Sequence, residues 1–218
     1  MEHTLYFLPT GTGLPSAAFD ALCARVSPAR REKIAALRRT GDRENALLAA
    51  VAVRLCAACA CGFENRDLHF ATAAGGKPYL VGAPDFCFSI AHTDGAVAVA
   101  VSPTAVGADI ERLREAPRGV AERFFTPEEQ AYCAGADDRF FEVWTRREAQ
   151  AKRTGTPLAA AFAASRGGKA ADNTAARIFH ADDFILAVAS DAADAFSFCK
   201  TDPDRFLDDV LKRLAPLA

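Results

Sequence analysis

The sequence has little that would mark it for export, for a membrane or for a thiolate metal centre. Its opening residues, MEHTLYFLPTGTGLP, hold no basic leader and no apolar run of signal-peptide length. The longest apolar stretch, ALLAAVAVRLCAACACG, carries Arg54 at its middle. It reads as too short to span a bilayer, which suggests a buried helix in a cytoplasmic protein without membrane contact. Three of the 7 cysteines, Cys56, Cys59 and Cys61, are crowded together, but no second CxxC pair or nearby histidine completes a metal site. Reduced, buried thiols are the expectation, not a disulfide framework.

Neither sign of charge dominates, since the formal net charge is only −2 over 218 residues. The distribution is uneven. Residues 25–54 hold 8 Lys/Arg against 3 Asp/Glu, whereas residues 172–218 hold 5 against 9. A basic segment inside a slightly acidic chain suits a small anion or an acidic partner. It does not suit coating nucleic acid, which calls for a more basic domain and stacking aromatics.

With half its residues hydrophobic and a quarter charged, the chain has the composition of a globular protein of one or two domains. A short strand is expected near residues 3–8, then two helices, the second with Ser27 as N-cap and Pro28 in its first turn. The apolar helix should run from about 43 to 61 and stop at Gly62. DLHFATAAGGKPYL reads as strand, glycine turn and extended piece. FSIAHTDGAVAVAVSPTAVGADIE reads as two strands about an Asp94-Gly95 turn, then a third. Thr126 and Glu129 form the signature of a capping box. WTRREAQAK lies on a further helix, and a glycine-rich loop, SRGGKAADN, leads into a last hairpin.

Two segments echo one another. IAHTDGAVAVAVS (90–102) and IFHADDFILAVAS (178–190) share Ile, His, Asp and Ser at four matching positions, all 88 residues apart. Both are expected hairpins after a helix-rich stretch, which points to two similar halves. The expected fold is therefore α+β, with two pseudo-repeated lobes, each a small antiparallel sheet with packed helices. The lobes are placed at residues 1–103 and 104–218, with a ligand cleft between them.

Several residues have the chemistry for a site. In VGADIE, Asp109 and Glu111 are two apart on a strand and so face one side, with Ala108 and Ile110 on the other. Two carboxylates held together call for a cation, and hard oxygen ligands suit Mg²⁺. In a helix, Glu148 and Lys152 share one face one turn apart, together with Trp144. Lys77 sits on the glycine turn of GGKP, as a point charge suited to phosphate. His92, just before the Asp94-Gly95 turn, is placed to donate to a phosphate, whereas His180 in the second hairpin reads as an ordinary strand-end histidine. Taken singly, each feature is also what an ordinary solvated surface shows.

Their order is more specific. The chain runs SPARREK, GGKP, FSIAH, VGADIE, FTPEE, WTRREAQAK, and between about Ser27 and Leu158 it resembles the 4′-phosphopantetheinyl transferases of the surfactin-synthetase-activator type. That resemblance implies transfer of 4′-phosphopantetheine from coenzyme A to a serine of an apo acyl or peptidyl carrier protein, with release of 3′,5′-ADP. It implies Mg²⁺, or Mn²⁺, on Asp109, Glu111 and Glu148, with Glu148 also the base. Lys152 would meet the pyrophosphate. Arg30, Lys33, Arg43, Lys77, Pro78, Ala91 and His92 would be the coenzyme A contacts. A monomer holding both lobes suffices for such a cleft, and the carriers would belong to fatty acid, polyketide or nonribosomal peptide synthesis.

The sequence also departs from that pattern. Arg147 stands for a lysine, Ala91 for a serine, Asn45-Ala46 where an arginine is common, and Pro157 for a glycine. The metal and base positions are kept, and the losses fall on nucleotide contacts. Two other classes remain open: a coenzyme A or carrier-binding homologue weakened in catalysis, and a Mg²⁺-dependent phosphohydrolase.

Overall fold

The computed structural model describes residues 1–11, 13–166 and 174–217. Most of the expected glycine-rich loop therefore lies outside the described residues. The chain begins with β1 (Thr4–Pro9), followed by α1 (Ser16–Cys23), α2 (Pro28–Ala35) and α3 (Thr40–Cys61). A short hairpin, β2 (Phe70–Thr72) and β3 (Pro78–Leu80), precedes the longer hairpin β4 (Cys87–Thr93) and β5 (Ala96–Ser102). The second half repeats the plan with β6 (Gly107–Arg112), α4 (Val120–Phe124), α5 (Pro127–Cys133), α6 (Asp137–Thr154), α7 (Leu158–Arg166), β7 (Ala176–Ala181) and β8 (Phe184–Ala189). It closes with β9 (Ser197–Lys200) and α8 (Pro203–Arg213).

Local signals account for the element ends. Ser27 Oγ accepts from the Arg30 amide and Pro28 opens α2. The Thr126–Glu129 capping box is closed in both directions. Gly62 ends α3 in the left-handed region, with φ of 70°. At 22 residues, α3 is longer than its apolar stretch suggests, because a polar first turn precedes that stretch. In length and composition it could cross a membrane. Leu47, Leu48, Val51 and Val53 are instead buried among α1, α8 and the first sheet. Arg54, inside it, is 6% exposed and donates from Nε to Asn65 Oδ1 at 2.6 Å, which satisfies a charge that would otherwise be costly to bury.

The core is four layers deep, helices on both outsides and two sheets between them. The first sheet has the order β4-β5-β1-β9 and the second β6-β8-β7. Alternation along AVAVAVS does the sorting. Ala96, Ala98 and Ala100 of β5 face the second sheet, while Val97, Val99 and Val101 face the helices of the first half. In β8 the small residues are on the opposite side. Leu186 and Val188 face the first sheet, and Ala187 lies under α6 with Ala149.

The echo in sequence is an echo in register. Thr93 pairs with Ala96 at the first hairpin's tip, and Ala181 with Phe184, 88 residues on, at the second. β1 lies antiparallel to β5 as β6 does to β8, so Leu5 and Tyr6 occupy the places of Ala108 and Asp109. Two features depart from a plain repeat of antiparallel sheets. β9 runs parallel to β1, and α8 packs on α3, so residues 197–213 return to the N-terminal half. The division expected at residue 103 makes no provision for that return.

Candidate active site

Asp109 and Glu111 point from β6 toward α6, opposite Ala108 and Ile110, which are 0% and 2% exposed in the core between the sheets. The approach of α6 to β6 depends on Gly107. A Cβ there would collide with the carbonyl of Ala149 and the backbone of Arg153. With no side chain in the way, Lys152 Nζ comes within 2.6 Å of Asp109 Oδ1 and 3.6 Å of Glu148 Oε2. This ion triad joins residues far apart in sequence, and its Asp109 carboxylate is only 3% exposed.

Asp109 is not fully satisfied by that contact. Its second oxygen, Oδ2, is buried with no hydrogen-bond partner. Burial pushes the Asp109 carboxyl well above the ordinary carboxylate range; Lys152 opposes this, and Glu148 and Glu111 add to it. Burial likewise draws the Lys152 ammonium down, but Asp109 and then Glu148 reverse that and leave it raised. Two carboxylates thus share one lysine, and with no cation between them burial and their mutual repulsion favour the protonated form of Asp109.

Hard oxygens, one of them orphaned, suit a small divalent cation. Asp109, Glu148 and Glu111 are the residues that would hold it. Glu111 is 2.9 Å from Arg114 Nη1. Among the described residues, no three acidic, His or Cys side chains stand close enough together, as they are, to hold a metal. The ammonium of Lys152 occupies the middle of the group. Binding would need that lysine to yield place and Glu111 to leave Arg114.

In the N-terminal half lies a cavity of about 280 Å³. Arg30 and Lys33 of α2 line it together with Pro78, Phe88 and Ile90. Arg30 is held by a 3.1 Å hydrogen bond from Nη2 to the Ala46 carbonyl, and burial lowers its pKa. His92 follows Ile90 on the same side of β4. Its pKa is lowered, first by crowding of the ring by protein and then by Lys152, with Asp42 opposing and Arg30 adding a little. Lys152 and Arg30 are thus both among the charges that act on His92.

Other expected contacts lie elsewhere. Arg43 donates from Nε to the Leu37 carbonyl at 2.7 Å and lines a separate cavity among α1, α2 and α3. Ala91, 4% exposed, faces the core between the sheets, and the serine that does act in this strand is Ser89, whose Oγ accepts from the Ala108 amide at 2.9 Å. Lys77 turns away from the cavity. Its Nζ donates to the Val106 carbonyl at 2.7 Å and the Arg153 carbonyl at 2.8 Å. Arg147 reaches Glu129 at 2.8 Å and Arg146 reaches the same carboxylate at 3.4 Å, so these arginines tie α5 to α6. Trp144 stacks on Phe140 and Phe162, anchoring α6 from the side.

Comparison with known proteins fits this geometry. Residues 105–196, which include Asp109, Glu148 and Lys152, match the family model of the 4′-phosphopantetheinyl transferase superfamily. Over those residues the chain is similar to that superfamily. A 4′-phosphopantetheinyl transferase of Bacillus subtilis is 30% identical over 144 residues, 64% of each chain. The 4′-phosphopantetheinyl transferase Sfp of Bacillus subtilis strain 168 is 30% identical over 138 residues, 61% of this chain and 62% of its own. The 4′-phosphopantetheinyl transferase gsp of Aneurinibacillus migulanus is 29% identical over 142 residues, 63% of this chain and 59% of its own. The match therefore spans about six-tenths of the length of these relatives.

One residue that supports this site was not apparent as such from sequence. Asn45, 5% exposed, donates from Nδ2 to the Thr93 carbonyl at 2.9 Å and so fixes the turn that carries His92. A polar residue on the buried side of an apolar helix was the available signal.

Proposed function

We propose that the protein moves the 4′-phosphopantetheine group of coenzyme A onto a serine of an apo acyl or peptidyl carrier protein, releasing 3′,5′-ADP. The observation that carries this is the buried Asp109, half satisfied by Lys152 and joined by Glu148, in a chain that also holds a cavity lined by Arg30 and Lys33 and whose residues 105–196 match the superfamily's model.

In this reading Arg30 and Lys33 hold the nucleotide's phosphates, and His92 donates to one of them. Phe88, Ile90 and Pro78 supply apolar wall. The serine oxygen attacks the phosphorus that carries the pantetheine arm, and the bond from that phosphorus to the departing 3′,5′-ADP oxygen breaks. Glu148 takes the serine proton. Lys152 neutralises charge gathering on the leaving phosphate, an effect that is strong where water is excluded. A Mg²⁺ ion, or Mn²⁺, held by Asp109, Glu111 and Glu148, would offset the pyrophosphate's charge. General base action of this kind is typically worth about 10²–10⁴-fold, the rest coming from positioning and charge.

The test is incubation with coenzyme A, Mg²⁺ and several apo carriers, followed by intact mass measurement of each carrier. One added phosphopantetheine per carrier is expected. No addition to any carrier would overturn the reading. Binding of coenzyme A without transfer would mark a binding homologue, and carrier-independent hydrolysis of coenzyme A a phosphohydrolase.

A further inference from the structure

Three close approaches meet at one spot on the molecule. Gly107, at the start of β6, lies against the backbone of Ala149 and Arg153 in α6. Gly75, in the turn between β2 and β3, lies against the last residue of that helix turn, so that a Cβ on Gly75 would sit 2.6 Å from the Gly155 carbonyl oxygen. Between them Lys77 Nζ spans the Val106 carbonyl, just before β6, and the Arg153 carbonyl, in the last turn of α6.

From this geometry we infer that Lys77 is a positioning residue, a clasp that sets the strand of Asp109 against the helix of Lys152 and Glu148. The chemistry favours it. The last carbonyls of a helix lack partners within the helix, and the helix dipole makes that end negative. An ammonium donating there satisfies both needs at once. Its two acceptors adjoin both halves of the ion triad, since Arg153 follows Lys152 and Val106 is three residues before Asp109. Both glycines are needed because any side chain would hold the β2–β3 turn away and take Lys77 out of reach. That turn belongs to the hairpin whose residues Phe70, Ala71, Thr72 and Pro78 wall the nucleotide cavity. The clasp therefore joins the cavity's wall to the end of the catalytic helix, and Lys77 serves the reaction without touching coenzyme A.

The inference rests on the proposed transfer for its consequence in turnover, but not for the clasp itself. Lys77→Met keeps the stem and removes the donors; Lys77→Arg keeps donors and charge. Hydrogen–deuterium exchange on the full chain should show faster exchange, by about tenfold, in the amides of residues 152–156 for Lys77→Met, with Lys77→Arg nearer the original. Coenzyme A affinity, measured by titration calorimetry, should stay within about twofold, while turnover on an apo carrier falls by about tenfold or more and is partly restored in Lys77→Arg. Thermal melts establish that each variant is folded. Unchanged exchange at residues 152–156 overturns the clasp whatever the activity. A loss of coenzyme A affinity in step with turnover overturns the positioning role in favour of direct phosphate contact. If the unsubstituted chain transfers nothing, the functional reading fails by itself and the exchange measurement still decides the clasp.

Discussion

Asp109 and Lys152 form an ion pair at 2.6 Å that satisfies only one of the two carboxylate oxygens, and the other is buried without a partner. A structural salt bridge in so enclosed a place is normally satisfied on all sides, since an unmet polar atom costs about 1–3 kcal/mol. In the proposed reading, that oxygen is where a cation or a substrate group would complete the site. Asp109→Asn should therefore cut transfer by about 10²-fold or more while the fold stays intact, checked by carrier mass and circular dichroism. Transfer at the original rate in Asp109→Asn would remove the assigned role.

Glu148 is less enclosed than Asp109 and lies 3.6 Å from Lys152, close enough to share its charge yet free to meet a hydroxyl. Glu148→Gln is expected to lower turnover by about 10²–10⁴-fold and to leave coenzyme A affinity within a few-fold of the original. Calorimetry with coenzyme A alone, beside the carrier assay, separates the two quantities.

Gly107 admits α6 to β6, and Gly107→Ala forces the Ala149 carbonyl away. Overpacking of this kind costs about 1–3 kcal/mol or more, and in a protein of this size that means a fall of several degrees in melting temperature. Because the same displacement parts Lys152 from Asp109, turnover should fall further than the loss of folded protein explains. A melt combined with single-turnover kinetics checks both.

Arg147 and Glu129 are each largely buried at their contact, 14% and 12% exposed in their side chains. Arg147→Ala should weaken the docking of α5 on α6 and show a coupling with Glu129→Ala of about 0.5–3 kcal/mol in a double-mutant cycle of stability. The Michaelis constant for coenzyme A should change little. A large rise in that constant with no stability coupling would return Arg147 to the nucleotide.

His92 gives a prediction in pH. Its pKa is depressed in the folded protein, by crowding first and Lys152 next. Below the ordinary histidine value of about 6.5 the unfolded chain binds this proton more readily than the folded one, so His92's contribution to stability is lost as pH falls. A phosphate beside the ring reverses the bias. Coenzyme A binding near pH 6 should then take up a proton, seen as a dependence of the calorimetric heat on the buffer's ionisation enthalpy. His92→Gln should abolish that dependence.

Much of this was legible in the sequence where the cause is local. Ser27 with Pro28, Thr126 with Glu129, Gly62 and the Asp94-Gly95 turn each act within a few residues, and each has a backbone consequence the side chain itself dictates. The 88-residue echo carried to the pairing register because alternation permits no slip of one residue without turning the core outward. Side-chain partners across long separations were not legible. Lys77 has the same appearance in sequence whether it faces a phosphate or the Arg153 carbonyl 76 residues away. Arg147 likewise turned to Glu129, and Ala91 faces the sheet interior because its strand is covered on both sides. The return of β9 to β1 follows from long-range packing that four residues of SFCK do not announce.

The central claim, that the Asp109–Lys152–Glu148 group is the centre of a transfer to carrier serine, is tested most directly by one mass measurement. An apo carrier incubated with coenzyme A and Mg²⁺ should gain one phosphopantetheine with the unsubstituted chain and none in the same time with Asp109→Asn or Glu148→Gln. Equal gains with all three, or no gain across a panel of carriers with folded protein, would contradict it.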